Sequence, residues 1–499
     1  MLCSGTIPLF NAPLLPHSMI RHFDKSRLIQ SANAFQSKGN IERARRMFQR
    51  INELFPGDFD TIGQELVASL RVCNWQRYDY LQRALRDNFR HKGGFLIGEP
   101  VLASPYFGAA DLLDISQRHA KNFSIRQDSP ASTRPRRAIA SGDKLRVGFL
   151  GSDFYNQATT HLMVGLIEEH DRSRFEYIAY DTRSTADDPM RQRIIKAFDR
   201  FHQVAHLDNA SIAEMIESDA IDILLFLRNP TDSRVGVLAL RPATVQIAYL
   251  YNPSGFGAPM VDFLIADPIV VPPELACNYS ERIARLPFSY QPNDLQRPLP
   301  QPCPREEFGL PPDKFVLANL GSTFKITPPM FDAWCDILRR HSDSVLWLLE
   351  PAASGAENLR LEASLRGVDP ARLFFSPIEA IGRHITRLAC ADLMLDTYPY
   401  GGHTGSSDAL WAGLPVLTLM GETFASRVAA SLLNAVGLSG LIAKTAEDYV
   451  AIAGRMIEDR RSLEAYRAHL RNRRESLPLF DIRSYSRDFE EMLMHVWLE

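Results

Sequence analysis

Paired cysteines, long apolar runs and an excess of charge of one sign are all missing from this 499-residue chain. Its six cysteines are scattered without a CxxC pair, which argues against a disulfide scaffold or a zinc site and favours a reducing compartment. No run of about 18 apolar residues occurs, and the N-terminus lacks a basic start followed by an apolar core. Neither a membrane span nor a secretion signal is expected, so we predict a cytoplasmic protein.

The balance of charge also limits the partners of the chain. Its formal net charge is -3, and basic and acidic residues are mixed along most of its length. Such a chain creates no global field that attracts nucleic acid or an anionic membrane, and neither is expected as a partner. A hydrophobic content of 45% over 499 residues is enough for more than one core, so a multidomain protein is predicted.

The first part of the chain is predicted to be all-helical. Residues 28–56 show helical periodicity with a break, and 1–70 are interpreted as a tetratricopeptide-like remnant. The residues at the repeat's expected offsets are Gly39, Ala44, Phe48 and Pro56. Only one unit is clear, so a capping remnant of a shortened array is favoured over a plain helical hairpin. The helical pattern continues over 71–123, which we interpret as an adaptor.

A change of composition marks a domain boundary at 124–143. This stretch is rich in Ser, Pro and Arg and has no apolar periodicity, which is typical of an exposed linker. Its arginines Arg134, Arg136 and Arg137 are expected to be solvated, and contact with an acidic partner is the less favoured alternative.

Beyond the linker, short apolar runs alternate with amphipathic segments over 144–300, and the same rhythm restarts over 301–499. The runs are LRVGFLG, FEYIAYD, IDILLFL, TVQIAYL and DFLIAD, then KFVLANLG, SVLWLLE, RLFFSP, LMLDT and PVLTLM. This alternation predicts an α/β protein with two lobes in tandem, each a parallel sheet with crossover helices. The crevice between the carboxyl ends of their strands is the expected ligand site.

The segment DTYPYGGHTGSSDALWAGLPVLTLMGETFASR, at 396–427, places a glycine-rich turn and a hydroxyl cluster at the start of a helix. Helix N-termini carry unpaired N–H groups and a partial positive charge. The hydroxyls of Thr404, Ser406 and Ser407 add donors, so the segment is suited to hold a diphosphate. An ordinary capped helix behind a turn has the same pattern and stays an alternative.

The same segment carries a family resemblance. GHTGSSDALWAGLPVLTLMGETFASRVAASLL, together with SVLWLLE, the FSP before Glu379 and LRVGFLGSDF, resembles the protein O-GlcNAc transferases of glycosyltransferase family 41, which include SPINDLY-like proteins. The similarity extends from about Cys73 to the C-terminus. It implies the GT-B fold of two Rossmann-like lobes, with 144–300 on the acceptor side and 301–499 on the nucleotide-sugar side. It also implies inverting transfer to a protein Ser or Thr, with a UDP-linked sugar as co-substrate and neither metal nor further cofactor.

The resemblance assigns residues to the donor. It places Lys325, His403 and Thr404 at the phosphates, where a metal-free enzyme needs fixed cations and oriented N–H donors for the developing charge. It places Asp408 at the ribose hydroxyls and His384 near the base. The remaining matched positions are Ser322 and Gly405. Taken from the sequence alone, a surface lysine and a packing histidine are the alternatives for Lys325 and His384.

Departures from the family pattern concentrate in the first lobe. The usual histidine after SDF is Gln157, and His161, one helical turn further on, is a candidate catalytic replacement; a core or cap histidine is the equal alternative. FLRNPT replaces an Asp-x-x-Gly-His-Thr run, so Phe226 and Pro230 stand where relatives have groups able to relay a proton. Ile381 stands at the position of a lysine that contacts the base in some relatives.

One more departure lies in the first lobe, and one more match, in the second lobe, is expected to shape the crevice. The loop YNPSG at 251–255 replaces the family's Gly-Tyr-Pro-Gly-Thr loop. Glu422 and Arg427 of GETFASR are interpreted mainly as a buried structural pair.

Three functions follow from these residues. The favoured one is a cytoplasmic protein O-glycosyltransferase for a GlcNAc-like or variant sugar, in which Lys325 and the Thr404 helix terminus stabilise the leaving diphosphate and His161 or a substrate phosphate assists deprotonation. A bacterial flagellin-modifying nonulosonic acid transferase is a subtype. A non-catalytic nucleotide-binding module and a sugar-nucleotide epimerase are the alternatives, the latter disfavoured by Phe226. The sequence does not identify the sugar, the nucleotide or the acceptor, and it does not define the oligomeric state.

Overall fold

The chain folds as a helical region followed by two sheet-based lobes. The computed structural model describes residues 24–92, 98–126, 136–140, 142–184, 186–250, 254–352 and 354–499. The helices of the first region are α1 (Lys25–Ser37), α2 (Ile41–Leu54), α3 (Phe59–Arg71), α4 (Tyr78–Lys92), α5 (Glu99–Leu102) and α6 (Ala109–Ala120). No helix within these ranges is both long and apolar enough to cross a bilayer.

The first two helices form a hairpin that matches the predicted helical periodicity. The Asp24 carboxylate caps α1 by accepting from the backbone N–H of Ser26 at 2.9 Å, and Gly39 takes the left-handed conformation (φ 74°) that the turn requires. The residues buried between α1 and α2 are Ala32, Ala44, Phe48 and Ile51. A helix pair is therefore present, whereas its identity as a tetratricopeptide remnant stays a prediction. Residues 1–23 of the predicted remnant lie outside the described ranges.

The first lobe is built on a parallel sheet. Its strands are β1 (Leu145–Gly151), β2 (Phe175–Asp181), β3 (Arg200–Gln203), β4 (Ile223–Phe226), β5 (Val245–Ala248), β6 (Phe263–Ala266) and β7 (Arg282–Arg285). Its helices are α7 (Ala158–Glu168), α8 (Pro189–Ala197), α9 (Asn209–Ser218) and α10 (Val235–Ala239). The strand order is β3-β2-β1-β4-β5-β6-β7. All five predicted runs form strands, because they are continuous apolar segments that a sheet covered on both faces can bury.

The second lobe repeats this design. Its strands are β8 (Phe315–Asn319), β9 (Ser344–Leu349), β10 (Leu373–Ser376), β11 (Leu393–Leu395), β12 (Val416–Leu419) and β13 (Ile442–Ala443), in the order β10-β9-β8-β11-β12-β13. Its helices are α11 (Pro328–Arg340), α12 (Gly355–Leu365), α13 (Ile381–Leu388), α14 (Thr404–Ala412), α15 (Val428–Ala435), α16 (Ala446–Glu458) and α17 (Arg460–Arg473). Two parallel-sheet lobes behind an all-helical region confirm the predicted GT-B architecture.

The last helix, α18 (Ile482–Leu498), returns to the first lobe and packs against α7 and β7. The Tyr485 hydroxyl donates to the Tyr290 carbonyl at 2.6 Å and lies 2.9 Å from the Tyr249 hydroxyl. The Glu490 carboxylate accepts from the Asp171 backbone N–H at 2.7 Å. The C-terminal segment thus joins the two lobes and limits how far they can separate.

Two of the linker arginines are bound within this chain. Arg136 donates to the carbonyl oxygens of Val496 and Trp497 at 2.9 and 3.0 Å, and these belong to the last turn of α18. Arg137 pairs with the buried carboxylate of Asp222 at 2.7 Å. The expectation that they would be solvated is wrong for Arg136, because a helix C-terminus offers it acceptors. Arg137 pairs with a buried acid while 38% of its side chain stays exposed. Arg134 lies outside the described residues.

Candidate active site

The carboxyl ends of β8 and β11 face the N-terminus of α7 across a cleft between the lobes. This cleft holds two adjoining cavities, which we name the Lys325 cavity (about 480 Å³) and the His384 cavity (about 430 Å³). The predicted site residues that line the Lys325 cavity are Ser322, Lys325, His403, Thr404 and Gly405. Those that line the His384 cavity are His161, His384, Thr404 and Asp408. The structure therefore brings every predicted site residue to one continuous cleft, with Thr404 at the junction.

Lys325 lies in a short 3-10 turn that directly follows β8. Its ammonium group donates to the Gly401 carbonyl at 2.8 Å and lies 4.0 Å from the centroid of the Tyr400 ring. Burial lowers the pKa of Lys325 to about 8, although the nearby carboxylates of Asp396 and Glu99 oppose this shift. The side chain is thus held inside the cleft by a carbonyl and a ring, which excludes the alternative of a surface lysine.

The N-terminus of α14 opens into the same cavity. His403 occupies the N-cap position without a side-chain cap bond, and among the described residues neither His403 Nε2 nor the buried Ser406 hydroxyl has a hydrogen-bond partner. Burial and the charge of Lys325 lower the pKa of His403 to about 3, so its imidazole is neutral. An ammonium group and an uncapped helix N-terminus then face one space, which is how proteins bind anions without metal.

The glycine turn before α14 is held by a buried acid. Asp396 accepts from the Gly402 backbone N–H at 2.6 Å and from the Thr418 hydroxyl at 2.8 Å, and burial raises its pKa to about 6. Across the described chain no group of three or more His, Cys, Asp or Glu side chains is placed to hold a metal ion. Lys325 and the α14 terminus are therefore the positive features that the cavity offers to a ligand.

Close packing makes Gly402 sensitive to a single added methyl group. A Cβ there would lie 2.3 Å from the Ser406 hydroxyl and 3.0 Å from the Asp396 carboxylate. We expect Gly402→Ala to lower the free energy of unfolding by about 1–3 kcal/mol, because the buried Ser406 and Asp396 side chains or the turn itself must shift to relieve these contacts. Gly405→Ala is the matched control for stability, since its Cβ would meet no atom within 4 Å. Urea denaturation of both variants checks this, and equal losses would contradict it.

His384 lies on α13 at the opening of its own cavity. Arg387 donates to His384 Nδ1 from Nε and Nη2 at 3.1 and 2.9 Å, which leaves the proton on Nε2. That atom lies 3.9 Å from the Asp408 carboxylate. Burial and the charge of Arg387 lower the pKa of His384 to about 4. The ring is therefore neutral, fixed in one tautomer and placed on a cavity wall, which is more than packing alone requires.

Arg297 is the site residue that sequence reasoning missed. Its Nη1 donates to the Asp408 carboxylate at 2.9 Å and to the Ser407 hydroxyl at 3.0 Å, and the side chain is only 1% exposed. In the described part of the chain, its Nε and Nη2 have no hydrogen-bond partner. Burial raises the pKa of Asp408, and the guanidinium opposes this. Arg297 thus holds one oxygen of the predicted ribose-binding carboxylate and leaves the other towards the cavity.

His161 lies in the first turn of α7, as the helical spacing predicted. Its Nε2 lies 2.8 Å from the Asn156 side-chain oxygen, and burial together with the charge of Arg297 lowers its pKa. A neutral imidazole on the cleft wall is able to accept a proton. Gln157, one of the predicted departures from the family pattern, is the N-cap residue of α7 and lines both cavities.

The altered FLRNPT segment serves the structure of the first lobe. Phe226 is fully buried in β4, and the Pro230 carbonyl contacts the His119 ring nitrogen at 2.9 Å. Arg228 pairs with the Asp153 carboxylate at 2.9 Å. Tyr251, Asn252 and Pro253 of the YNPSG loop lie outside the described residues, and the Gly255 carbonyl accepts from the Ser116 hydroxyl at 2.9 Å.

The interpretation of Glu422 and Arg427 as a buried pair is wrong. Glu422 is exposed, whereas Arg427 donates to the carbonyl oxygens of Ile269 and Gly421 at 2.6 and 2.8 Å. The guanidinium contacts carbonyl oxygens from both lobes, and Ile269 lies 158 positions away, so the local sequence does not indicate that contact. Arg427 still shapes the crevice, because it bonds to backbone carbonyls of both lobes where a bond to the Glu422 carboxylate was expected.

Two facing Rossmann-like lobes with an anion-suited cleft define the GT-B class of fold. The profile of glycosyl transferase family 41 matches residues 113–301 and 299–489, so the chain belongs to this family. A solved structure of a mutant O-GlcNAc transferase from Thermobaculum terrenum superimposes with a TM-score of 0.79 at 25% identity, covering 95% of this chain and 91% of that one.

Curated relatives give the same family at higher identity. The probable UDP-N-acetylglucosamine-peptide N-acetylglucosaminyltransferase SEC of Arabidopsis thaliana is 34% identical over 415 residues, which is 80% of this chain and 42% of the relative. The UDP-N-acetylglucosamine-peptide N-acetylglucosaminyltransferase of Caenorhabditis elegans is 28% identical over 483 residues, which cover 74% of this chain and 42% of the relative. The chain spans less than half the length of these relatives.

Proposed function

We propose that this protein is an inverting protein O-glycosyltransferase, which transfers a sugar from a nucleotide-sugar donor to a Ser or Thr hydroxyl of an acceptor protein. The observation that carries the proposal is the shared Lys325 cavity, where an ammonium group and the N-terminus of α14 face one space. Family membership and the peptide N-acetylglucosaminyltransferases among its relatives support the same reaction.

The donor diphosphate would occupy the Lys325 cavity. Its leaving oxygens gain negative charge as the bond to the anomeric carbon breaks, and the fixed Lys325 charge and the N–H groups of Thr404 and Gly405 would stabilise that charge. With a pKa of about 8, Lys325 is mostly protonated at neutral pH, and a bound anion favours the protonated form further. This chain's own groups would therefore supply the positive charge that the leaving group needs.

The nucleoside would extend into the His384 cavity. The free oxygen of Asp408 would accept ribose hydroxyls, and the neutral His384 ring would pack beside the base. Leu320, Leu349 and Ile381 line the same cavity, so the base would be held by apolar contact where some relatives have a lysine. We propose a UDP-linked sugar, consistent with the donor in the names of the relatives.

The acceptor hydroxyl would enter from the first-lobe side, where His161 lines the cleft. Its imidazole would take the hydroxyl proton as the oxygen attacks the anomeric carbon from the face opposite the diphosphate, which inverts that carbon. A donor phosphate oxygen is the second available base. The FLRNPT segment does not supply this base, because Phe226 is buried and Pro230 contacts His119 through its backbone carbonyl.

Mass spectrometry of intact protein tests the proposal. The purified protein is incubated with a UDP-, GDP- or CMP-linked sugar, including a CMP-linked nonulosonic acid, and with candidate acceptors that include a flagellin. We expect a mass increase of one sugar residue with a UDP-linked donor, and none with Lys325→Ala. Nucleotide binding without any transfer would instead establish a non-catalytic module, and transfer of only the nonulosonic acid would establish the flagellin-modifying subtype. Absence of both binding and transfer would overturn the proposal.

A further inference from the structure

The turn that carries Lys325 is packed against the helical region at the end of α3. Thr323, two residues before the lysine, donates its hydroxyl to the Arg71 carbonyl at 3.0 Å. Asn358 on α12 donates to the next carbonyl, that of Val72, at 2.8 Å. The last carbonyls of a helix have no partners within it, so side chains of the second lobe cap α3 here.

A continuous set of contacts runs from Arg71 to the ammonium group. The Arg71 guanidinium pairs with Glu99 on α5 at 2.7 Å and lies 6.0 Å from the Phe324 ring centroid. Phe324 packs edge-on against Tyr400, with centroids 5.7 Å apart, and the Tyr400 ring lies 4.0 Å from Lys325 Nζ. The helical region is thus linked to the Lys325 ammonium group through the contacts of Arg71, Phe324 and Tyr400.

The turn has little support of its own. Within the described chain its internal backbone bonds are Lys325 N–H to Ser322 at 3.1 Å and Ile326 N–H to Thr323 at 3.0 Å. A three-residue 3-10 turn of this kind is held in place mainly by what packs against it. On one side that is Tyr400, and on the other it is the end of α3.

We propose that the helical region forms part of the donor site, with Arg71, Glu99 and Thr323 as positioning residues that hold the Lys325 ammonium group at the diphosphate. The inference rests on the proposed function, because it is the diphosphate that Lys325 meets. It assigns the helical region a role in the chemical step, in addition to any role in recruiting an acceptor.

The pKa of Lys325 is a second property through which the role of Glu99 can be measured. The charged and titratable groups that face Lys325 are Asp396 beyond β11, Glu99 on α5, His403 at the start of α14 and the Tyr400 ring. Both carboxylates raise the pKa of Lys325, whereas burial lowers it. Removal of the Glu99 charge therefore lowers this pKa below about 8, and the ammonium group is lost at lower pH.

The first test compares two side chains of the same interface. Thr323→Val keeps the shape but removes the bond to Arg71, and we expect kcat to fall by about 10-fold, since small misplacements of a charge-stabilising group are costly. Thr323→Ser restores the bond and should recover kcat. Asn358→Leu is the matched control, because it removes the neighbouring cap bond without touching the turn. It should leave kcat within about twofold of wild type.

The second test measures UDP affinity against pH by calorimetry and needs no transfer. Wild type should lose affinity as pH rises through about 8. Glu99→Gln should shift this loss to lower pH by roughly half a unit, and Asn358→Leu should not. If wild type binds no nucleoside diphosphate, the proposed function fails. If wild type behaves as stated while Thr323→Val and Glu99→Gln match Asn358→Leu, the inference is overturned and the proposed function stands.

Discussion

Replacement of Lys325 by alanine is expected to lower kcat for sugar transfer by about 10³-fold, because it removes the fixed charge that meets the leaving diphosphate. The free energy of unfolding should change by no more than about 1 kcal/mol, since losing the bond to the Gly401 carbonyl is offset by no longer burying an ammonium group. Steady-state kinetics and urea denaturation measure the two quantities.

A lysine on the surface of the same lobe provides the control. Lys314 directly precedes β8, at the end of that strand opposite the cleft, and pairs with exposed Asp343 at 2.9 Å. It lines neither cavity, so Lys314→Ala should leave kcat unchanged. If Lys325→Ala keeps more than about a tenth of the wild-type kcat, this lysine does not stabilise the leaving group.

The same ammonium group sets the expected pH dependence. The protonated form binds the diphosphate, and the pKa of Lys325 lies at about 8, so kcat/KM should be constant at neutral pH and fall as pH rises through about 8. His384 and His403 have pKa values of about 4 and 3, so neither should add a step near neutrality. The alkaline fall should be absent from the residual activity of Lys325→Ala.

The second large effect is expected at Arg297. Arg297→Met leaves the Asp408 carboxylate buried without its cationic partner, so we expect a loss of roughly 3 kcal/mol in unfolding free energy. Asp408 then takes up a proton at higher pH and no longer holds ribose hydroxyls, so donor affinity should fall about 100-fold. Denaturation and calorimetry with UDP report the two effects separately.

A double variant separates charge burial from ligand binding. Arg297→Met with Asp408→Asn removes both charges, so it should recover part of the stability while donor affinity stays low. Arg305→Met is the control, because Arg305 also pairs with an aspartate of the second lobe, Asp392 at 2.7 Å, without lining either cavity. Wild-type donor affinity in Arg297→Met would show that Asp408 needs no partner to act.

The fold was predictable where strands are long and apolar. LRVGFLG and SVLWLLE are buried on both faces, and a continuous apolar run is the signal for such a strand. The strands that prediction missed are RFHQ, RIAR and the two-residue β13, all at sheet edges or short. Edge strands carry charged side chains and bury little, so their sequences lack that signal.

The site was predictable where one local segment carries the chemistry. Thr404 begins a helix behind a glycine-rich turn that is visible in the sequence, whereas Lys325 follows from the family resemblance. The structure brings both residues to one cavity. Arg297 comes from an irregular stretch, and its partner Asp408 lies 111 positions away, so no periodicity or spacing marks it. The contact between Arg71 and the lysine turn joins residues of two domains that are 252 positions apart, so no local pattern marks it either.

A crystal structure with a bound nucleoside diphosphate would show whether Lys325 and the N-terminus of α14 hold the leaving group. We expect both phosphates in the Lys325 cavity, with oxygens within about 3 Å of Lys325 Nζ and of the backbone N–H groups at the start of α14. The nucleoside should then lie between His384 and Asp408. Diphosphate density outside this cavity, or Lys325 turned away from a diphosphate within it, would contradict the assignment of Lys325 to the leaving group.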